Sequence, residues 1–128
     1  MPEIEMHELL LQGFRSVSAI LNERHSTLIV DPILAELAEL ASRNEESDGV
    51  RRAILELLDS PDFSADAEVA QYFAYRFKWD WLKEEIRQRY LKSVSGVDHK
   101  RARHYQRMLE AFADDWEDRD LFPSLGIY

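Results

Sequence analysis

The chain contains no cysteine, and only four glycines and four prolines among its 128 residues. Without thiols there is neither a disulfide nor a thiolate metal site, and a reducing compartment is permitted. So few glycines leave little material for a phosphate-cradling loop or a dinucleotide fingerprint, and no nucleophile-elbow pattern occurs. No apolar run approaches the roughly 20 residues of a membrane span. The start, Met1-Pro2-Glu3-Ile4-Glu5, is acidic where a secretory signal would be basic and then apolar. A cytoplasmic chain with no membrane partner is therefore the expectation.

Histidine is scarce too: His7, His25, His99 and His104 are the full set. A helix-borne metal site wants ligands at i, i+3 or i+4 on one face. His99 and His104 are five apart and point roughly 140° from one another on a helix. Glu3 and His7 have the right spacing, but an exposed amphipathic segment produces such pairs by chance. No metal and no cofactor are expected.

What the chain has in quantity is apolar and charged residues, 45% and 32%. These are the proportions of an ordinary folded domain. At this length one helical domain over residues 1–128 is expected, burying roughly 65–70% of its unfolded surface. The periodicity is helical nearly throughout, which predicts an all-α bundle of about five helices.

Met6, Leu10, Phe14, Val17, Ile20 and Leu21 recur near the 3.6-residue period and predict a first helix over 3–24. Asp31-Pro32 reads as the N-cap and first residue of a second helix, with Ile33, Leu34, Leu37, Leu40 and Ala41 lining one face. The β-branched run Ser26–Val30 before it has the composition of a short extended piece, but an isolated strand has nothing to pair with here. Ser47 or Asp48 caps a third helix, with Val50, Ile54, Leu57 and Leu58 facing in. A fourth, long helix is expected over 65–94. Its apolar face shifts around residues 75–82, which reads either as a doubly packed central turn of an unbroken helix, the favoured reading, or as a kink or break near Lys78–Asp80. Ser95-Gly96 closes it and Asp98 caps a fifth helix, whose stripe runs Tyr105, Met108, Leu109, Phe112, Trp116. The last two helices then form a long antiparallel hairpin. Phe73, Phe77, Leu82, Ile86, Met108, Leu109, Phe112 and Trp116 are the expected main core. The tail from Phe122 to Tyr128 is apolar enough to pack back on the body.

Carboxylate pairs such as Glu36/Glu39 and Asp114/Asp115 lie on the polar faces. General acid–base work needs carboxyls in two different environments, so no catalytic residue is assigned. The aromatic run from Tyr72 to Trp81 reads as core rather than as a pocket.

Charge is the remaining signal. Residues 87–107 hold seven Lys/Arg against the single acid Asp98, a local +6 in a chain of net −9. The candidate anion or partner site at the helix-four/helix-five tip is Arg89, Lys92, Lys100, Arg101, Arg103, His104 and Arg107. Cations at the start of helix five oppose its dipole, and Asp114, Asp115, Glu117 and Asp118 crowd its other end. The candidate acidic partner surface is Glu36, Glu39, Glu45, Glu46, Asp48, Glu56 and Asp59.

Size and charge together suggest a non-enzymatic interaction domain that binds another protein through a basic patch on it. Neutralisation in the manner of an immunity protein or antitoxin, or regulation, would be forms of that. Two alternatives stand beside it: a small-anion or phospho-ligand binder using the basic tip, and a small all-α enzyme with an aromatic pocket. Net −9 disfavours nucleic acid. Charge-complementary association into a homo-oligomer is also open.

Overall fold

The computed structural model describes residues 2–60 and 63–126, and of residues 63 and 64 only the backbone. Six helices follow one another: α1 (Glu3–Arg24), α2 (Thr27–Ser42), α3 (Asp48–Leu58), α4 (Phe63–Phe77), α5 (Asp80–Ser95) and α6 (His99–Glu110). Two 3₁₀ turns, Glu117–Leu121 and Pro123–Leu125, complete the described chain, and no strand occurs among these residues. One apolar cluster draws on all six helices.

The first helix matches its periodicity, with Met6, Leu10, Phe14, Val17 and Leu21 buried. Its tight approach to α3 depends on Gly49. A Cβ there would stand 2.3 Å from the Glu3 carbonyl oxygen and 3.1 Å from the His7 nitrogen. Only a residue without a side chain lets the start of α3 lie so close to another backbone. Ser47 caps α3, its Oγ accepting from the Gly49 N–H at 3.1 Å.

The second helix corrects the sequence reading. It begins at Thr27, so Asp31 and Pro32 lie inside it and Asp31 caps nothing on α2. An isolated extended piece has no partner to satisfy its backbone, whereas continuing the helix does so. Asp31 is buried, and its carboxylate accepts from the Ser124 N–H at 3.0 Å and from the Ser124 hydroxyl at 2.6 Å. Since that hydroxyl proton is committed, the Tyr72 hydroxyl is the donor to Ser124 at 2.7 Å. This chain of three side chains ties α2, α4 and the C-terminal turn together.

The long fourth helix is broken. Lys78 takes a left-handed conformation (φ 50°), and α5 restarts at Asp80. No proline or glycine causes this. The cause is the shifting apolar face: a break lets each half turn its own stripe inward, which one straight rod cannot do. Lys78 is held in place by its N–H to Ala74 O at 2.8 Å and its Nζ to Tyr75 O at 3.0 Å. Its ammonium also lies over the Tyr75 ring and 3.4 Å from Asp114. The break stacks Phe77 on Trp79 (4.2 Å between ring centres) and Trp79 on Trp81 (5.5 Å).

The last helix is shorter than its apolar stripe implied. It ends at Glu110, after which the N–H groups of residues 111–113 reach back only three residues. Trp116 is still buried, but from the following turn, by packing against Tyr75 and Phe122. Asp114, Asp115, Glu117 and Asp118 therefore do not crowd the end of a helix. Of the expected core, Phe73, Leu82, Ile86, Met108 and Trp116 are buried, whereas Phe77, Leu109 and Phe112 are half-buried. The tail does pack back through Phe122, which is buried, and Leu125, which lies on the cluster. Ile127 and Tyr128 lie outside the described residues.

Candidate functional site

The helix break and the α2–α3 link meet to form a cleft. Trp79 and Trp81 come from the α4–α5 junction, Glu45, Glu46 and Ser47 from the link, and Asp48, Val50 and Arg51 from the start of α3. Its volume is about 490 Å³. Trp79 Nε1 donates to Glu45 Oε1 at 3.0 Å, which pins the acidic rim to the aromatic wall. The Arg51 guanidinium lies 4.7 Å from the centre of the Trp81 ring and ends the Phe77–Trp79–Trp81 stack. Three carboxylates against one guanidinium leave the cleft acidic. A cationic side chain entering it would meet carboxylates able to accept charge-assisted hydrogen bonds.

The seven acids chosen from sequence do not act as one surface. Glu45, Glu46 and Asp48 line the cleft, and Glu36 and Glu39 are exposed on α2. The other two are engaged within the fold. Glu56 stands 3.3 Å from His7 Nε2, and Asp59 accepts from Arg89 at 2.7 and 3.1 Å.

The basic cluster divides in the same way. Arg89 is a strut, joining the end of α3 through Asp59 and its own helix through Glu85 at 2.7 Å. The Asp59 carboxylate, and behind it Glu85, hold the Arg89 proton beyond the ordinary arginine range despite partial burial. Arg101 lies 3.5 Å from Asp98, whose carboxylate also caps α6 by accepting the Arg101 N–H at 3.1 Å. Arg107 is half-buried near Glu68, and its carbonyl accepts from Gln71 Nε2 at 2.8 Å. Burial raises Glu68 above the ordinary carboxylate value, only partly opposed by Arg107. His104 is held below the ordinary imidazole value by partial burial first, then by Arg107, Lys100 and Arg103. Lys92, Lys100 and Arg103 are exposed and form no ion pair among the described residues.

These last three surround a tip. Every residue from Val94 to Lys100 is exposed, including Val94 and Val97, and Leu91 is exposed one turn earlier. A shallow cleft of about 360 Å³ beside it is lined by Arg89, Lys92 and Arg101, but also by Asp59 and Asp98. An anion entering it would meet two carboxylates, so the basic residues do not converge on one anion as the sequence suggested.

The acid–tryptophan cleft itself was not visible in the sequence. On an unbroken helix Trp79 and Trp81 would point roughly 200° apart. The one available signal was the shift of apolar face at residues 75–82. Among the described residues, no group of three or more His, Asp or Glu is placed to hold a metal ion, and no helix is long and apolar enough to cross a membrane. Comparison of the chain with protein-family models, with curated proteins and with solved structures returns no match.

Proposed function

We propose that this chain is a small, non-enzymatic, single-domain interaction protein that engages a basic patch on another protein through the Glu45–Glu46–Asp48 cleft. The observation carrying the reading is the junction of that acidic rim with the Trp79/Trp81 wall, fixed by the Trp79–Glu45 hydrogen bond. Carboxylates supply attraction and orientation to an arginine or lysine. Tryptophan edges supply apolar contact for the side chain's methylenes. Glu36 and Glu39 extend the negative field along α2 and steer a basic partner toward the cleft. Neutralising a toxic cytoplasmic partner and regulating an enzyme are both uses of such a surface.

The two other readings carry less. A phospho-ligand at the α5–α6 tip, taken as an antiparallel hairpin, draws support from the unpaired Lys92, Lys100 and Arg103 but meets Asp59 and Asp98. An enzyme built on the aromatic centre would need ring faces open to a substrate. Phe77, Trp79 and Trp81 instead cover one another, with Arg51 closing the end.

Tryptophan fluorescence tests the reading, since two of the three tryptophans line the cleft. Titration with an arginine-rich peptide at low salt is expected to shift the emission, and a glutamate-rich peptide of equal length to leave it unchanged. Glu45→Lys with Glu46→Lys should abolish the response with helicity intact. A response that survives this double reversal, or no response in the unaltered protein, sinks the proposal. The natural partner would then be sought by capture from the source cell at low and high salt.

A further inference from the structure

The α5–α6 tip breaks two local rules at once. Val97, 68% exposed, holds a left-handed backbone (φ 58°), while Gly96 beside it has an ordinary φ of −83°. The left-handed position after a helix is where glycine belongs, and a β-branched residue there is strained. Leu91 and Val94, 54% and 48% exposed, add apolar surface to the same end of the helix. Lys92, Lys100 and Arg103 flank it and form no ion pair among the described residues. Features that strain the fold locally and leave apolar and cationic groups facing solvent point to something outside it.

We propose that this tip inserts into the acid–tryptophan cleft of a second copy of the chain, so that copies associate head to tail. The inference rests on the reading of the cleft as a receptor for cations, and it names one occupant. Charge complementarity supports that choice. The tip offers Lys92, Lys100 and Arg103 against Asp98, whose carboxylate is already engaged by the Arg101 guanidinium and N–H, and the cleft offers Glu45, Glu46 and Asp48. Form matches too: a run of exposed residues from 94 to 100 meets a recess of about 490 Å³ walled by Trp79 and Trp81, against which Val94 and Val97 gain apolar cover.

Position within the molecule sets the geometry. Trp79 precedes the first residue of α5 and the tip follows its last, and the helix has 16 residues, or about 24 Å. One copy cannot join its own tip to its own cleft across that length. Roughly three Debye lengths at physiological salt also separate them, so the acidic end does not quench the basic one. Because tip and cleft are different surfaces, the contact is heterologous and does not close as a twofold dimer. A contact confined to one tip is smaller than the ~1,600 Å² of a standard stable interface, so the association is weak and depends on concentration.

Sedimentation velocity across a wide concentration range tests this. At low salt the average mass of the unaltered protein is expected to climb past twice the 15.1 kDa monomer and to fall back to it at about 0.5 M salt. A tip variant (Lys100→Glu with Arg103→Glu) and a cleft variant (Glu45→Lys with Glu46→Lys) should each associate at least about tenfold more weakly. Mixing the two juxtaposes reversed tip with reversed cleft, and native tip with native cleft, so association in the mixture is restored. Val97→Gly should weaken association about fivefold to tenfold by removing apolar contact while leaving the charges in place. A closed dimer, a monomer at every concentration, or a mixture that stays monomeric overturns the proposal. If the peptide response above holds while self-association is absent, the cleft is a receptor for a different protein and only this inference fails. If both are absent, the reading of the cleft fails with it.

Discussion

Replacing Val97 by glycine should make the protein more stable. After α5 the Asp98 N–H reaches the Ser93 carbonyl at 2.8 Å and the Val97 N–H reaches the Val94 carbonyl at 3.1 Å. This paired pattern requires its penultimate residue, Val97, to be left-handed. For an L-residue that conformation costs roughly 1–2 kcal/mol, since Cβ crowds the following carbonyl. Glycine has no such crowding but loses more chain entropy on folding, about 0.5–1 kcal/mol. The difference is a net gain of about 0.5–1 kcal/mol, because the exposed valine contributes little packing that would be lost. For a chain of this length that is a rise in melting midpoint of roughly 2–4 °C. Calorimetry or urea unfolding reads it, with an unchanged urea m-value showing that the native and unfolded states kept their compactness. Gly96→Ala is the control: its backbone angles suit any residue, and its new Cβ would meet the Lys92 carbonyl at 3.3 Å and the Ser93 carbonyl at 3.9 Å. A midpoint for Val97→Gly that is unchanged or lower refutes the strain argument, and with it the claim that this valine is kept for an external contact.

Phe122→Ala should destabilise by about 3–5 kcal/mol, since the ring is fully buried between Tyr72 and Trp116. Phe112→Ala should cost clearly less, and equal midpoint losses for the two would contradict the placement of Phe112 in a half-buried turn. Asp31→Ala leaves the Ser124 N–H and hydroxyl without their acceptor and should cost about 2–3 kcal/mol. A neutral outcome by urea melt would show that this linkage does not hold the C-terminal turn. His104 is depressed in the folded state, so the unfolded chain takes up the proton first as pH falls below about 6.5. Its contribution is therefore unfavourable on acidification and absent above that value, and stability should decline from pH 7 toward 5. His104→Gln should show a shallower decline over that interval, and identical slopes in the two proteins would count against the shift.

Much of the helical pattern was legible because it depends on local spacing. Met6 to Leu21 on α1 and Val50 to Leu58 on α3 bury the residues their period selects, and Ser47 and Asp98 cap the helices they precede. Segments whose fate depends on a distant partner were not legible in this way. Asp31-Pro32 has the local form of a helix start, yet a half-buried serine 93 residues away makes Asp31 an acceptor in mid-helix. Trp116 lies at a helical interval from Phe112 and is buried, but the helix ends before either, because Tyr75 and Phe122 bury Trp116 from a turn.

The charge asymmetry belongs to the sequence alone, and so does the all-helical character of the chain, since both follow from composition and short-range periodicity. Tertiary structure decided which charges remain available. Arg89 and Asp59 lie 30 residues apart and are spent on one another, while Lys92, Lys100 and Arg103 form no ion pair among the described residues. It also decided that Trp79 and Trp81 share a cleft with Glu45, because the turn of Lys78 into the left-handed region aligns rings that an unbroken helix would hold apart. An ion pair or a cleft is a contact between segments remote in the chain, and local spacing carries no information about which remote segments meet.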